Sequence, residues 1–162
     1  MRVSFDLDDT IFVPPGQFKT ERALPFPLNR IYKERLRYGT IALFQSIQAQ
    51  GIELWIYTTS FRSERHIRHH FRCYGLKIDG VVNGYRHAEQ VQGNKREIMP
   101  SKYPSQYRID LHVDDDISVA QNGIAHGFKV FIVGQQDDEW DQKILEAIEA
   151  IQKRLKPTQA HP

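Results

Sequence analysis

The opening segment MRVSFDLDDT sets three carboxylates, Asp6, Asp8 and Asp9, at the end of an apolar run. Like charges this close repel, and burying them is costly without compensation. Two distant segments carry matching chemistry. YTTS (57–60) brings the hydroxyls of Thr58, Thr59 and Ser60, and HVDDD (112–116) brings Asp114, Asp115 and Asp116. Carboxylates in this number suit a hard cation such as Mg²⁺, which takes oxygen ligands and commonly partners phosphate oxygens. Such an ion relieves the repulsion among Asp6, Asp8, Asp114 and Asp115. A phosphoryl group also needs a hydrogen-bond donor and a positive charge. Thr58 or Thr59 supplies the donor, and Lys95 is the candidate for the charge. A calcium loop is excluded, because the sixth position from Asp6 is Ile11 rather than Gly and the twelfth is Gln17 rather than Glu.

These residues do chemistry together only if the fold gathers them. Residues 2–7 read as a short buried strand. Residues 11–38 are irregular: Pro14, Pro15, Pro25 and Pro27 rule out long regular structure there. The spacing predicts a helix over 39–50, stopped by Gly51, then a central strand over 52–57 with apolar residues on both faces. A basic helix follows from Arg62 and ends at Gly75. GVVN (80–83) is a short strand, and 84–107 is loop with a weak helix. Strand 108–113, a helix in ISVAQNGIAHG, strand 128–133 and a final helix over about 138–155 complete the chain, with a frayed tail at 157–162. The final helix aligns Trp140, Ile144, Ile148, Ile151 and Leu155 on one face. Strands alternating with helices predict an α/β fold, a Rossmann-like three-layer sandwich with a central parallel sheet and helices on both faces. Ligands of such sheets sit at the carboxyl ends of the strands. FDLDDT, YTTS and HVDDD all lie there.

The length of 162 residues suits a single domain, expected over 1–156. Net charge of +2 favours no partner class by itself, so nucleic acid is neither indicated nor excluded. The one cysteine, Cys73, reads as a buried small apolar residue and excludes a disulfide framework. No run approaches the roughly 18 apolar residues of a membrane span, and aspartates at the start argue against a secretory signal. The expectation is a cytoplasmic protein without a membrane partner. The sequence leaves its oligomeric state open.

Taken in order, FDLDDT, WIYT, a lysine and LHVDD resemble the haloacid dehalogenase-like (HAD) phosphohydrolase superfamily. Asp6, Asp8 and Thr10 fit its D-x-D-x-T motif and Thr58 its second motif. Lys95, in GNKRE, fits the third, and Asp114 and Asp115 the fourth. Lys102 also precedes the acidic pair, but Lys95 has the more typical spacing. The resemblance implies a Mg²⁺-dependent phosphatase that hydrolyses a phosphate monoester. Asp6 is then the nucleophile that forms an aspartyl-phosphate, and Asp8 the acid and base. Thr58 and Lys95 hold the transferring phosphoryl group, with Thr59 and Arg62 as substrate-binding residues. The metal falls to Asp6, the Asp8 carbonyl, and Asp114 or Asp115. Asp116 is expected to cap the next helix instead, and Asp9 to be structural. Neither gap between motifs has room for a folded cap domain, so the chain resembles a capless or minimally capped member.

Other features have plainer readings. Arg65, Arg68 and Arg72 read as a solvated helix face, whereas Arg62 is close enough to the second motif to reach a substrate phosphate. His66 and His70 have the i, i+4 spacing of a zinc pair, with no third ligand evident nearby. Phe12, Phe18, Phe26 and Tyr32 either anchor the long basic loop 13–38 or line a pocket. That loop could cover the site and meet a phosphorylated substrate. The competing function is a non-catalytic phospho-ligand-binding or regulatory module on the same scaffold. A receiver-type signalling domain is excluded because its acidic pair comes first and its phosphoacceptor ends a third strand.

Overall fold

A computed structural model describes residues 1–155; the tail read at 157–162 lies outside them. Five parallel strands form one sheet in the order β3-β2-β1-β4-β5, where β1 is Arg2–Phe5, β2 Glu53–Tyr57, β3 Gly80–Val82, β4 Leu111–Asp114 and β5 Val130–Ile132. The helices are α1 (Leu28–Ile31), α2 (Thr40–Ala49), α3 (Glu64–Arg72), α4 (Gly84–His87), α5 (Ile117–His126) and α6 (Trp140–Leu155). Helices cover both faces, as the alternation of strands and helices requires. No helix among the described residues is long and apolar enough to cross a membrane.

Register fixes which side chains share a face. Val3 pairs with Leu54 and Leu111, and Phe5 with Ile56 and Val113. These six side chains meet Leu43, Phe44 and Ile47 of α2, Ile67 and Phe71 of α3, and Trp140, Ile144, Ile148 and Ile151 of α6 in the main core. Each fully buried aliphatic or aromatic side chain contributes about 1.5–3 kcal/mol. The face predicted for α6 is the one buried, except that Leu155 is exposed. Strand period 2 sends Ser4, Trp55, Tyr57 and His112 to the other face, where a second core gathers Tyr57, Val82, Val91, Tyr107 and Ile109.

Several element bounds differ from expectation. β1 ends at Phe5, two residues early, because the chain turns back at once: the Ile11 and Phe12 amides both donate to Leu7 O. β4 begins at Leu111 rather than 108, since Pro104–Tyr107 form a 3₁₀ turn and Arg108 takes a left-handed conformation. The weak helix of 84–107 is α4, running into one π turn over Ala88–Gln92. Cys73 is only partly buried, with Sγ 3.6 Å from His69 Nδ1. The long segment 11–38 is held down by its apolar residues: Phe12, Val13, Leu24, Tyr32 and Leu36 are buried, while Phe26 is exposed. Bridges from Phe12 to Leu36 and from Thr20 to Arg37 close it on itself.

Candidate active site

Asp6 is the first residue beyond β1, and its amide donates to Val113 O at 2.9 Å, so the carboxylate stands between the ends of two central strands. The following turn lets Asp8 and Asp9 face solvent. Asp9 sits at φ 62°, a conformation that Asp and Asn tolerate better than most residues. Thr10, fully buried, donates from Oγ1 to Asp115 Oδ1 at 2.9 Å and ties this turn to the end of β4.

The cation that meets Asp6 is Lys102. Its Nζ lies 2.8 Å from Asp6 Oδ1 and 2.5 Å from Asp114 Oδ2, and its side chain is buried. Lys95, the lysine expected from spacing, lies instead on an exposed turn closed by Gln92 Nε2 donating to Lys95 O and Glu97 O. Placement of Lys102 follows from its neighbour: the Tyr103 amide donates to the buried Tyr57 hydroxyl at 2.8 Å, which pins this segment against the sheet.

Beneath the carboxylates runs a chain of polar contacts that sequence reasoning missed. Ser4 and His112 pair in register on β1 and β4, with Ser4 Oγ 2.8 Å from His112 Nδ1. His112 Nε2 lies 2.9 Å from Asp114 Oδ2, and both residues are wholly buried. Burial lowers the His112 pKa, so the ring is neutral; Nε2–H then donates to Asp114 while Nδ1 accepts from Ser4. The signal was present as two polar residues within apolar strands, at the parity opposite to Val3, Phe5, Leu111 and Val113.

The carboxylates differ electrostatically. Burial pushes the Asp6 pKa up to about 7, with Lys102 opposing and Asp114 assisting. Burial acts on Asp114 too, but the His112 hydrogen bond and the Lys102 charge outweigh it and bring that pKa down to about 2. Asp115 is raised by burial, against the Thr10 hydrogen bond. Asp8 remains half-exposed and ion-pairs with Arg62 Nη1 at 2.8 Å. Arg62 also reaches Glu34 at 3.2 Å and lies over the Phe12 ring.

The hydroxyl segment reaches the same rim. The Thr58 amide donates to Val82 O, and Thr58 Oγ1 accepts from the Ser60 amide at 3.1 Å. Thr58 is buried and Thr59 exposed. Gly84 permits this turn: a Cβ there would stand 2.6 Å from Thr59 O, and its amide donates to Ser60 O. Asp116 caps α5, accepting from the Ser118 amide at 2.8 Å, as expected.

A hard cation fits the cluster. Asp6, Asp114 and Asp115 each bring a carboxylate oxygen within 4.8 Å of the other two. With all three ionised, three carboxylates and one ammonium leave a net charge of −2. Asp6 Oδ1 is buried without a hydrogen bond, because Lys102 is close enough for an ion pair but poorly angled. Asp114 is already taken, with Oδ2 on Lys102 and His112 and Oδ1 on the Asp116 amide. Asp115 is the freer partner for Asp6.

No family model and no curated protein matches this sequence. Solved structures do share its backbone. A HAD-superfamily hydrolase, subfamily IA, variant 1, from Geobacter sulfurreducens PCA superposes with a TM-score of 0.55 at 12% identity, over 90% of this chain and 98% of that one. A HAD-superfamily hydrolase from Ehrlichia chaffeensis superposes with a TM-score of 0.53 at 15% identity, over 93% of this chain and 96% of that one. Identities this low speak to architecture rather than activity, and the architecture is that of the HAD-superfamily fold.

Proposed function

We propose that this protein is a phosphatase that hydrolyses a phosphate monoester through an aspartyl-phosphate on Asp6. The observation that carries this reading is a buried carboxylate at the carboxyl end of a central parallel strand, 2.8 Å from a buried lysine and beside two further aspartates. Asp6 attacks phosphorus and the ester oxygen departs; water then cleaves the acyl phosphate, so the hard displacement is split into two easier ones. Asp8 gives its proton to the leaving oxygen and afterwards takes one from water. To reach the leaving oxygen, Asp8 has to part from Arg62, with which it is ion-paired at 2.8 Å. Arg62 is then released toward the substrate.

Lys102, rather than Lys95, stabilises charge on the transferring group, and Asp114 and His112 hold it in position. Thr58 donates to a phosphoryl oxygen through its hydroxyl, whose Oγ1 already accepts from Ser60. Thr59, exposed on the same turn, stands outside it toward solvent. Asp6 and Asp115, with the Asp8 carbonyl, would hold Mg²⁺. When bound, the cation supplies the positive charge that keeps Asp6 ionised and draws in phosphoryl oxygens.

A pocket of about 290 Å³ beside Asp8, lined by Phe12, Val13, Pro14, Pro15, Lys33, Glu34 and Arg35, suits the leaving group. The basic loop supplies few free cations to it. Arg35 donates to Thr20 and Glu21 O, and Arg37 to the carbonyls of Gly134 and Asp137. Between Asp8 and Thr58 the described residues form only α1, α2, β2 and loop, which fits a site without a separate cap. An aryl phosphate assay tests the proposal. Wild type turns over with Mg²⁺, EDTA stops it, and Asp6→Asn loses about 10³-fold or more; an Asp6→Asn enzyme at wild-type rate overturns it.

A further inference from the structure

A second group of ligating side chains lies outside the carboxylate cluster. Glu34, from the long segment before α2, and His66 and His70, one turn apart on α3, each bring one ligand atom within 4.8 Å of the other two. The i, i+4 spacing puts both imidazoles on one helix face. His70 is fully buried, yet neither ring nitrogen has a hydrogen-bond partner. Its ring stacks against both Phe12, at 5.0 Å, and Tyr32, at 4.7 Å. A phenylalanine would fill that slot without burying two unsatisfied polar atoms, so packing alone does not account for a histidine here. Burial also disfavours the imidazolium and keeps His70 in the neutral form that can ligate a metal.

We propose that Glu34, His66 and His70 form a Zn²⁺ site separate from the all-oxygen cluster. Two imidazoles and a carboxylate are a donor set that zinc takes with a fourth position open, whereas Mg²⁺ prefers oxygen alone. His66 also lines a surface pocket of about 310 Å³, together with Tyr32, Ser63, Arg65 and His69. Zinc here would join the segment before α2 to α3. It would also compete for Glu34 with Arg62, which pairs with Glu34 at 3.2 Å and with Asp8 at 2.8 Å. That link to Asp8 rests on the phosphatase reading, but the binding site itself does not.

The test uses the full chain, stripped with EDTA, dialysed, and supplied with excess Mg²⁺ to compete at the carboxylate cluster. Zn²⁺ binding is followed by calorimetry and Co²⁺ binding by visible absorption. One equivalent is expected, with the absorption bands of nitrogen-ligated Co²⁺. Binding should weaken at least ten-fold in His66→Ala and in Glu34→Gln, and persist in Asp6→Asn. His66 is partly exposed, so its variant is expected to fold, as circular dichroism verifies. No Zn²⁺ binding by wild type overturns the proposal. So does binding unchanged in both His66→Ala and Glu34→Gln, or binding lost only with Asp6→Asn. Absence of phosphatase activity does not touch this result, because the readout is binding.

Discussion

The two faces of β1 hold the molecule together in different ways. Val3 and Phe5 look toward a core of hydrophobic side chains closed by α2, α3 and α6. Ser4 looks the other way, onto a polar chain running through His112 and Asp114 to Lys102 and Asp6. Apolar packing is non-directional and shared among many contacts, so losing one side chain costs a graded amount. The polar chain is directional, and each member has few partners. Removing one strands another in a low-dielectric interior. One strand therefore carries stability on one side and a charge-holding device on the other.

The sharpest way to break this contrast is at Lys102. Lys102→Met should cost about 3–5 kcal/mol, because it leaves Asp6 and Asp114 as buried carboxylates without a counter-charge, and should lower kcat about 10²-fold or more. Lys95→Met should stay within about 0.5 kcal/mol and keep its activity. Denaturation and kinetics on the two variants decide between the lysines. On the apolar face, Ile144→Ala should cost about 2–5 kcal/mol in urea unfolding while kcat stays at the wild-type value below the transition. A kcat loss there would mean the two faces are not separable.

The carboxylates also titrate in opposite senses. Asp6 is raised above its unfolded value, so the stability it contributes is present below about pH 4 and is lost as pH rises through about 7. Asp114 is lowered, so its contribution is present above about pH 4 and is lost as pH falls toward 2. Because a cation and a proton compete for Asp6, the increase in Tm given by Mg²⁺ should grow between pH 5 and pH 8. Asp6→Asn should flatten that growth; an equal increment at every pH would contradict the assignment. The smallest effect is expected at Asp9. Its left-handed backbone suits Asn as well, so Asp9→Asn should change Tm and kcat little, which thermal melts and the aryl phosphate assay check.

Much of this arrangement was legible in the sequence. Acidic and hydroxylic residues at the ends of apolar runs pointed to the candidate site, because a parallel sheet delivers strand ends to one rim. Asp116 was readable as a cap for the same local reason that any Asp before a helix is. Lys102 was not, since its depth depends on Tyr103 meeting Tyr57 across 46 residues, a contact that no local pattern encodes. Glu34 was invisible as a partner for His66 and His70 because only the folding-back of 11–38 onto α3 brings them together. Ser4 and His112 could have been found, as their parity marks them as facing away from the main core.

The most direct test of the central claim is to trap the covalent intermediate. Wild-type protein is mixed with an aryl phosphate and Mg²⁺, quenched in acid, reduced with borohydride, and mapped by peptide mass spectrometry. An acyl phosphate on Asp6 is reduced to homoserine at position 6 alone, and the product is absent with EDTA or without substrate. Homoserine at another carboxylate, or turnover with no modification at Asp6, would contradict the account.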